Sequence, residues 1–166
     1  MYISAISTIL SLAGALVLHE MGHFLAARAC GVRVTQAGFG WGPKLLDFRL
    51  SGVDYHLRLL PVGAYIRMDM SGLQRRPLFQ QLFVLLAGIA VNVILGVIAW
   101  GTFFGTLNLV LAVANLFPLY QQDGWKSGMV IFRRIFRGPS PVVEWTFTLC
   151  AALTPLIVLL RALSGY

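Results

Sequence analysis

The chain has 166 residues, of which 58% are hydrophobic and only 11% charged, with a mean hydropathy of +0.78 and a formal net charge of +7. A soluble domain requires more polar surface than this, so the composition points to an integral membrane protein. The basic excess is no nucleic-acid platform, because its cations fall in the connections between apolar segments and are not interleaved with aromatics on a soluble surface.

The first apolar segment, residues 3–29, has no charge before Glu20 and no proline, which predicts a helix too long for a cleavable signal peptide. Near its end stand His19, Glu20 and His23 in the spacing HExxH. Residues i and i+4 of a helix lie about 40° apart around its axis, so both imidazoles can reach one Zn²⁺ while Glu20 acts as a general base. The rise from residue 3 to His19 is roughly 24 Å, which places the histidines inside a hydrocarbon core of roughly 30 Å. A carboxylate at that depth costs on the order of 2.5–3.5 kcal/mol on insertion scales, so Glu20 implies a partner or a function. Together these features point to a metalloprotease whose zinc lies within the bilayer. Cys30 and Cys150 are isolated and read as structural thiols.

Residues 32–68 do not read as a membrane helix. Leu46, Phe48 and Leu50 alternate with Asp47 and Arg49, and Val53, Tyr55, Leu57 and Leu59 alternate with Asp54, His56 and Arg58 across a Ser51-Gly52 turn signal. This period predicts a β-hairpin, preceded by a tight loop at residues 38–43. Half of its face is apolar. Two readings stand: a membrane-associated sheet that offers an edge strand to an extended peptide, or an interfacial cytosolic hairpin. His56 falls on the polar side of the alternation, away from a metal site.

Further apolar segments at residues 79–100, 102–117 and 142–163 bring the count to about four transmembrane helices around a single unit, residues 1–166. Pro118 predicts that the third ends at Phe117, at membrane depth. Ser140 as cap, Pro141 at the first turn and Glu144 beside the positive end of the dipole mark the start of the fourth. The Lys and Arg residues cluster between segments one and two and between three and four, with none between two and three. The positive-inside rule therefore places both long connections in the cytosol and both termini outside.

A catalytic zinc takes three protein ligands and leaves one position open. The best remaining donor is Asp123, which follows the broken third segment, with Gly124 expected to let the chain turn back toward the first helix. Both half-sites then lie toward the cytosolic side.

At these residues the chain resembles the site-2 protease family of intramembrane zinc metalloproteases. Residues 19–23 match the family's HExxH, residues 60–68 look like the close of its membrane-associated β-region, and residues 87–92 look like its A-G-P-x-x-N. Residues 115–124 match its N-x-x-P and D-G element, whose Asp is the third zinc ligand. Ile89 stands in place of the family's proline, and Gln121 and Gln122 in place of apolar residues. The resemblance implies peptide-bond hydrolysis with one Zn²⁺ held by His19, His23 and Asp123, and Glu20 as general base. It also suggests that Asn92 and Asn115 orient the substrate backbone or support the carbonyl oxygen; interhelical hydrogen bonding is the alternative for both. The PDZ and CBS modules of other members are absent from this sequence, so a regulatory membrane partner is expected in their place. The implied substrate is a single-span membrane protein or membrane peptide in the lipid bilayer, in the inner membrane of a prokaryote. The rival reading is a non-catalytic zinc-binding scaffold of the same fold.

Overall fold

A computed structural model describes residues 4–117, 119–136 and 140–164. Helix α1 (Ala5–Ala29) leads into strands β1 (Val34–Leu50) and β2 (Val53–Met68). Then come a short helix α2 (Met70–Gln74), α3 (Leu78–Ile98), α4 (Phe103–Leu116), α5 (Asp123–Ile135) and α6 (Pro141–Ser164). The four apolar helices coincide with the expected segments to within a few residues; α2 and α5 were not anticipated.

α1 starts at Ser4, whose hydroxyl accepts from the Ser7 amide at 3.2 Å. It ends at a left-handed Gly31, with Val32 N–H donating to Ala27 O and Gly31 N–H to Arg28 O, so the last carbonyls are satisfied. Small residues dominate its buried stripe, which includes Ala15, Gly22, Ala26 and Ala27. They let α3 approach closely: a Cβ on Gly22 would come within 2.8 Å of the Ala87 carbonyl. α1 and α3 run antiparallel, with His23 beside Val84 and His19 beside Asn92.

α1 and α3 are the two helices among the described residues that are long and apolar enough to cross a membrane; α4, with 14 residues, rises only about 21 Å. Ile6, Leu10, Leu25, Ile94, Val97 and Ile98 are all exposed on α1 and α3. An outward apolar belt of this kind suits lipid and not water. α4 ends at Leu116, and Phe117 is already extended, as expected for a residue before proline.

The hairpin turns at Ser51 and Gly52, both with positive φ, in agreement with the sequence. The tight loop expected at residues 38–43 is instead part of β1, because pairing continues through Gly38, Phe39 and Trp41. Gly40 and Gly42, at φ 85° and 90°, bend the strand without ending it. The long hairpin therefore folds over itself. Residues 36–39 pair antiparallel with 64–67 on one side, and on the other side advance in step with 54–57. Residues 46–50 pair with 53–57 outside that. The short segments thus lie in the order 46–50, 53–57, 36–39, 64–67, leaving 64–67 as one free edge. Trp41, Leu45, Leu60 and Val62 are exposed around the bend. The base of the hairpin is pinned by a core of Ala26, Ala27, Val32, Val34, Val53, Leu73, Val84 and Leu85.

α5 begins against α3 and reaches α6 through Arg133, whose guanidinium donates to both Glu144 oxygens at 2.7 and 2.9 Å. Glu144 therefore joins two helices and lies apart from the histidines.

Candidate metal centre

Three elements converge on one buried point. α1 supplies His19 and His23, one turn apart on the face toward α3, and the first residue of α5 supplies Asp123. Nε2 of each histidine lies 3.0 Å from Oδ2 of Asp123, and the two Nε2 atoms are 3.2 Å apart. All three side chains are at least 90% buried. The sequence separation of 100 residues or more means that only the tertiary fold brings the carboxylate to the rings.

Gly124 contributes by closeness and not by turning. It lies inside α5, where a Cβ would collide with the Leu116 carbonyl, so its absence lets α5 start against the end of α4. The positive φ that turns the chain belongs to Gln121, at 69°. Lys126, one turn on, donates to Asp123 Oδ1 at 3.2 Å and leaves Oδ2 for the histidines.

α3 holds the rings from behind with one stripe of residues four apart. The Val84 carbonyl accepts from His23 Nδ1 at 2.8 Å. Gly88 gives the rings room, since a Cβ there would collide with both imidazoles. Asn92, completely buried, places its amide 3.1 Å from His19 Nδ1. Neither the Val84 carbonyl nor Gly88 was singled out as a site group from sequence, although Gly88 stands four residues before Asn92 within the quoted motif.

The donor set fits zinc. Ligands bonded at about 2.0–2.1 Å in a tetrahedron lie about 3.3 Å from one another, close to the 3.0 and 3.2 Å separations here. In the neutral tautomer that donates Nδ1–H to Val84, His23 turns the Nε2 lone pair toward a carboxylate oxygen. Two lone pairs in contact repel unless a cation lies between them, and a metal ion satisfies all three atoms together.

Glu20 points elsewhere. Its Oε2 accepts from the Ile66 backbone amide at 3.0 Å, on the free edge 64–67, and it lines an apolar cavity between α1 and the sheet. Ile66 N–H is thus an edge donor already in use. Asn115 donates to the Leu111 carbonyl at 2.9 Å within α4 and is not hydrogen-bonded to His19, His23 or Asp123 among the described residues. Ile89 is buried within an uninterrupted α3, so the helix runs smoothly where the family has proline. His56 pairs with Asp47 at 3.0 Å on the outer hairpin, and this bond, with Lys44 and Arg58 nearby, holds the Asp47 carboxyl below its ordinary range. Asn108 was missed from sequence: it is completely buried in α4, with its amide donated to the Phe104 carbonyl.

Residues 7–105, more than half of the chain, match the family model described as peptidase family M50. The chain belongs to peptidase family M50. The resemblance to the site-2 protease family read from the motifs is borne out, and the curated relatives of this M50 chain carry metalloprotease names. It is 33% identical over 151 residues to the Arabidopsis thaliana protein named membrane metalloprotease ARASP, chloroplastic, covering 77% of this chain and 33% of that protein. Over 146 residues it is 33% identical to a protein of Helicobacter pylori (strain J99) that carries a zinc-metalloprotease name, covering 78% of this chain and 41% of that protein. A similarly named protein of Staphylococcus aureus (strain N315) is 39% identical over 77 residues, 46% of this chain and 18% of the relative. This M50 chain spans less than half the length of these curated relatives.

Proposed function

We propose that this chain hydrolyses peptide bonds within or near the membrane-spanning segments of single-span membrane proteins or membrane peptides. The observation that carries this reading is the meeting of His19, His23 and Asp123 in a buried cluster, with Glu20 between that cluster and a free strand edge. His19 Nε2, His23 Nε2 and Asp123 Oδ2 would hold one Zn²⁺. When bound, the ion acts as a Lewis acid and makes water a stronger acid near neutral pH.

The side chains of the protein account for the rest. Glu20 takes a proton from the attacking water as its oxygen bonds to the scissile carbonyl carbon, and returns the proton to the departing amide nitrogen as the C–N bond breaks. Lys126 keeps Asp123 Oδ1 occupied and the carboxylate oriented. A helical substrate hides its carbonyls in its own hydrogen bonds, so it must unwind before cleavage. The edge at 64–67 offers backbone partners to the unwound strand. Residues 36–39 are paired on both sides, so the substrate is proposed to align on 64–67. The further expectation that Asn92 and Asn115 touch substrate stays part of the proposal, with Asn92 also serving His19.

The proposed topology has four membrane spans, a single core over residues 1–166, both termini outside, and the site toward the cytosolic side of a prokaryotic inner membrane. A reporter active only in the cytosol, fused after residue 166, is expected to be silent; activity there reverses the topology. Co-expression with a panel of single-span substrates, comparing wild type with Glu20→Gln, tests the activity itself. Cleavage abolished by Glu20→Gln with zinc retained supports a protease. Zinc retained with no Glu20-dependent cleavage of any substrate favours the scaffold reading.

A further inference from the structure

Between α1 and the underside of the sheet lies a cavity of about 410 Å³ whose lining is almost wholly apolar. Val17 and Met21 of α1 and Leu46, Phe48 and Leu57 of the hairpin line it, and Glu20 stands in the same wall. Its size falls within the roughly 300–1,000 Å³ of pockets that bury most of a small organic ligand. The chain does not fill this space itself: Met21 is 45% exposed and Phe48 47%, although Phe48 is stacked on Tyr55 with ring centroids 5.1 Å apart. Apolar side chains left open beside a general base call for an apolar occupant.

The free edge identifies which one. Ala64 and Ile66 belong to that edge and also line the cavity. A strand added to an edge continues the pleat of the sheet, so alternate side chains of the newcomer fall on the same face as those of its neighbour. A peptide aligned there has its backbone beside Ile66 N–H and Glu20, and every second side chain directed at the cavity.

We propose that this cavity is the specificity subsite of the protease, taking a bulky apolar side chain of the substrate next to the scissile bond. The assignment rests on the protease reading above and adds to it a substrate class: extended segments with Leu, Phe or a larger apolar residue at that position, and not Ala or a charged residue. The edge alone reads backbone and cannot discriminate; the cavity supplies the discrimination.

The test uses the full chain in membranes or detergent and one cleaved substrate. Each residue flanking the scissile bond is varied in turn among Ala, Leu, Phe and Trp. Val17→Phe narrows the cavity and Phe48→Ala widens it, and both positions lie outside the proposed ligands and general base. Zinc content and thermal stability are measured for each variant, with Leu57→Ala as a second widening change should Phe48→Ala fail to fold. Wild type is expected to favour Leu or Phe over Ala at one flanking position. There Val17→Phe should lower the Phe-to-Ala ratio of kcat/KM about tenfold, while Phe48→Ala moves the optimum toward Trp. Ratios that stay at wild-type values, or turnover that falls equally for every substrate, show that the cavity is packing space or a lipid site and overturn the subsite while the protease stands. Absence of Glu20-dependent cleavage in the wild type overturns the protease and the subsite together.

Discussion

The Asn92 side-chain amide stands 3.1 Å from His19 Nδ1, and its Oδ1 is buried without a hydrogen-bond partner among the described residues. A histidine that binds metal through Nε2 carries its proton on Nδ1 and requires an acceptor there. A half-turn of the Asn92 amide puts Oδ1 in that place and fixes the tautomer. Asn92→Asp keeps an acceptor oxygen and should hold zinc as well as wild type. Asn92→Leu keeps the volume but no acceptor, and should weaken zinc about 10–100-fold in a chelator competition. If Leu binds zinc like wild type while both variants lose turnover, Asn92 serves the substrate and not the ligand.

The cluster predicts about one Zn²⁺ per chain. Asp123→Ala and the double variant His19→Ala/His23→Ala should each lose most of it by metal analysis of purified protein, since a two-ligand or one-ligand remnant is a poor site. Full occupancy in both variants places the metal elsewhere. Glu20→Gln should keep the metal and lose turnover by about 10²–10⁴-fold, the usual worth of a general base.

Gly88 should tolerate no side chain. Its missing Cβ is the space that the two imidazoles occupy, so Gly88→Ala must displace a ring or separate α1 from α3. Overpacking of this kind costs about 1–3 kcal/mol. A fall in thermal stability together with reduced zinc content is expected. Wild-type values for both would mean that the helices part without disturbing the ligands.

Edge recognition is tested at Ile66. Proline tolerates an edge strand but has no N–H, so Ile66→Pro removes the donor that Glu20 now uses and that an aligned peptide would face. Zinc should remain while turnover falls, and more steeply for a rigid Leu-rich substrate than for one already bearing helix-breaking residues. Equal turnover of both substrates at the wild-type rate reduces the hairpin to a support. A proline at Arg49, on the opposite margin of the sheet and outside the cavity lining, serves as the comparison.

The features legible in the sequence were those written in side-chain type along one dimension. The apolar helices, the HExxH on α1, and the turn at Ser51 and Gly52 are of that kind. Folding of the hairpin over itself was not legible, because Gly40 and Gly42 signal a bend equally well at the end of a strand and within one. α5 was lost behind the Asp-Gly turn signal, although Asp123 opens a helix and the turning residue is Gln121. The support of His23 by Val84 uses a main-chain carbonyl, which no residue-type pattern reveals.

The bond from Ile66 N–H to Glu20 has one more consequence. In the proposed mechanism it places the general base under the control of the sheet, while the proposed zinc ligands answer to α3 and α5. Displacing the edge by an ångström would misalign Glu20 and leave the metal seated, so the two halves of the chemistry can be governed separately. Such an arrangement separates storage of the cofactor from readiness to react: a chain could remain fully loaded and idle until an incoming strand sets the register.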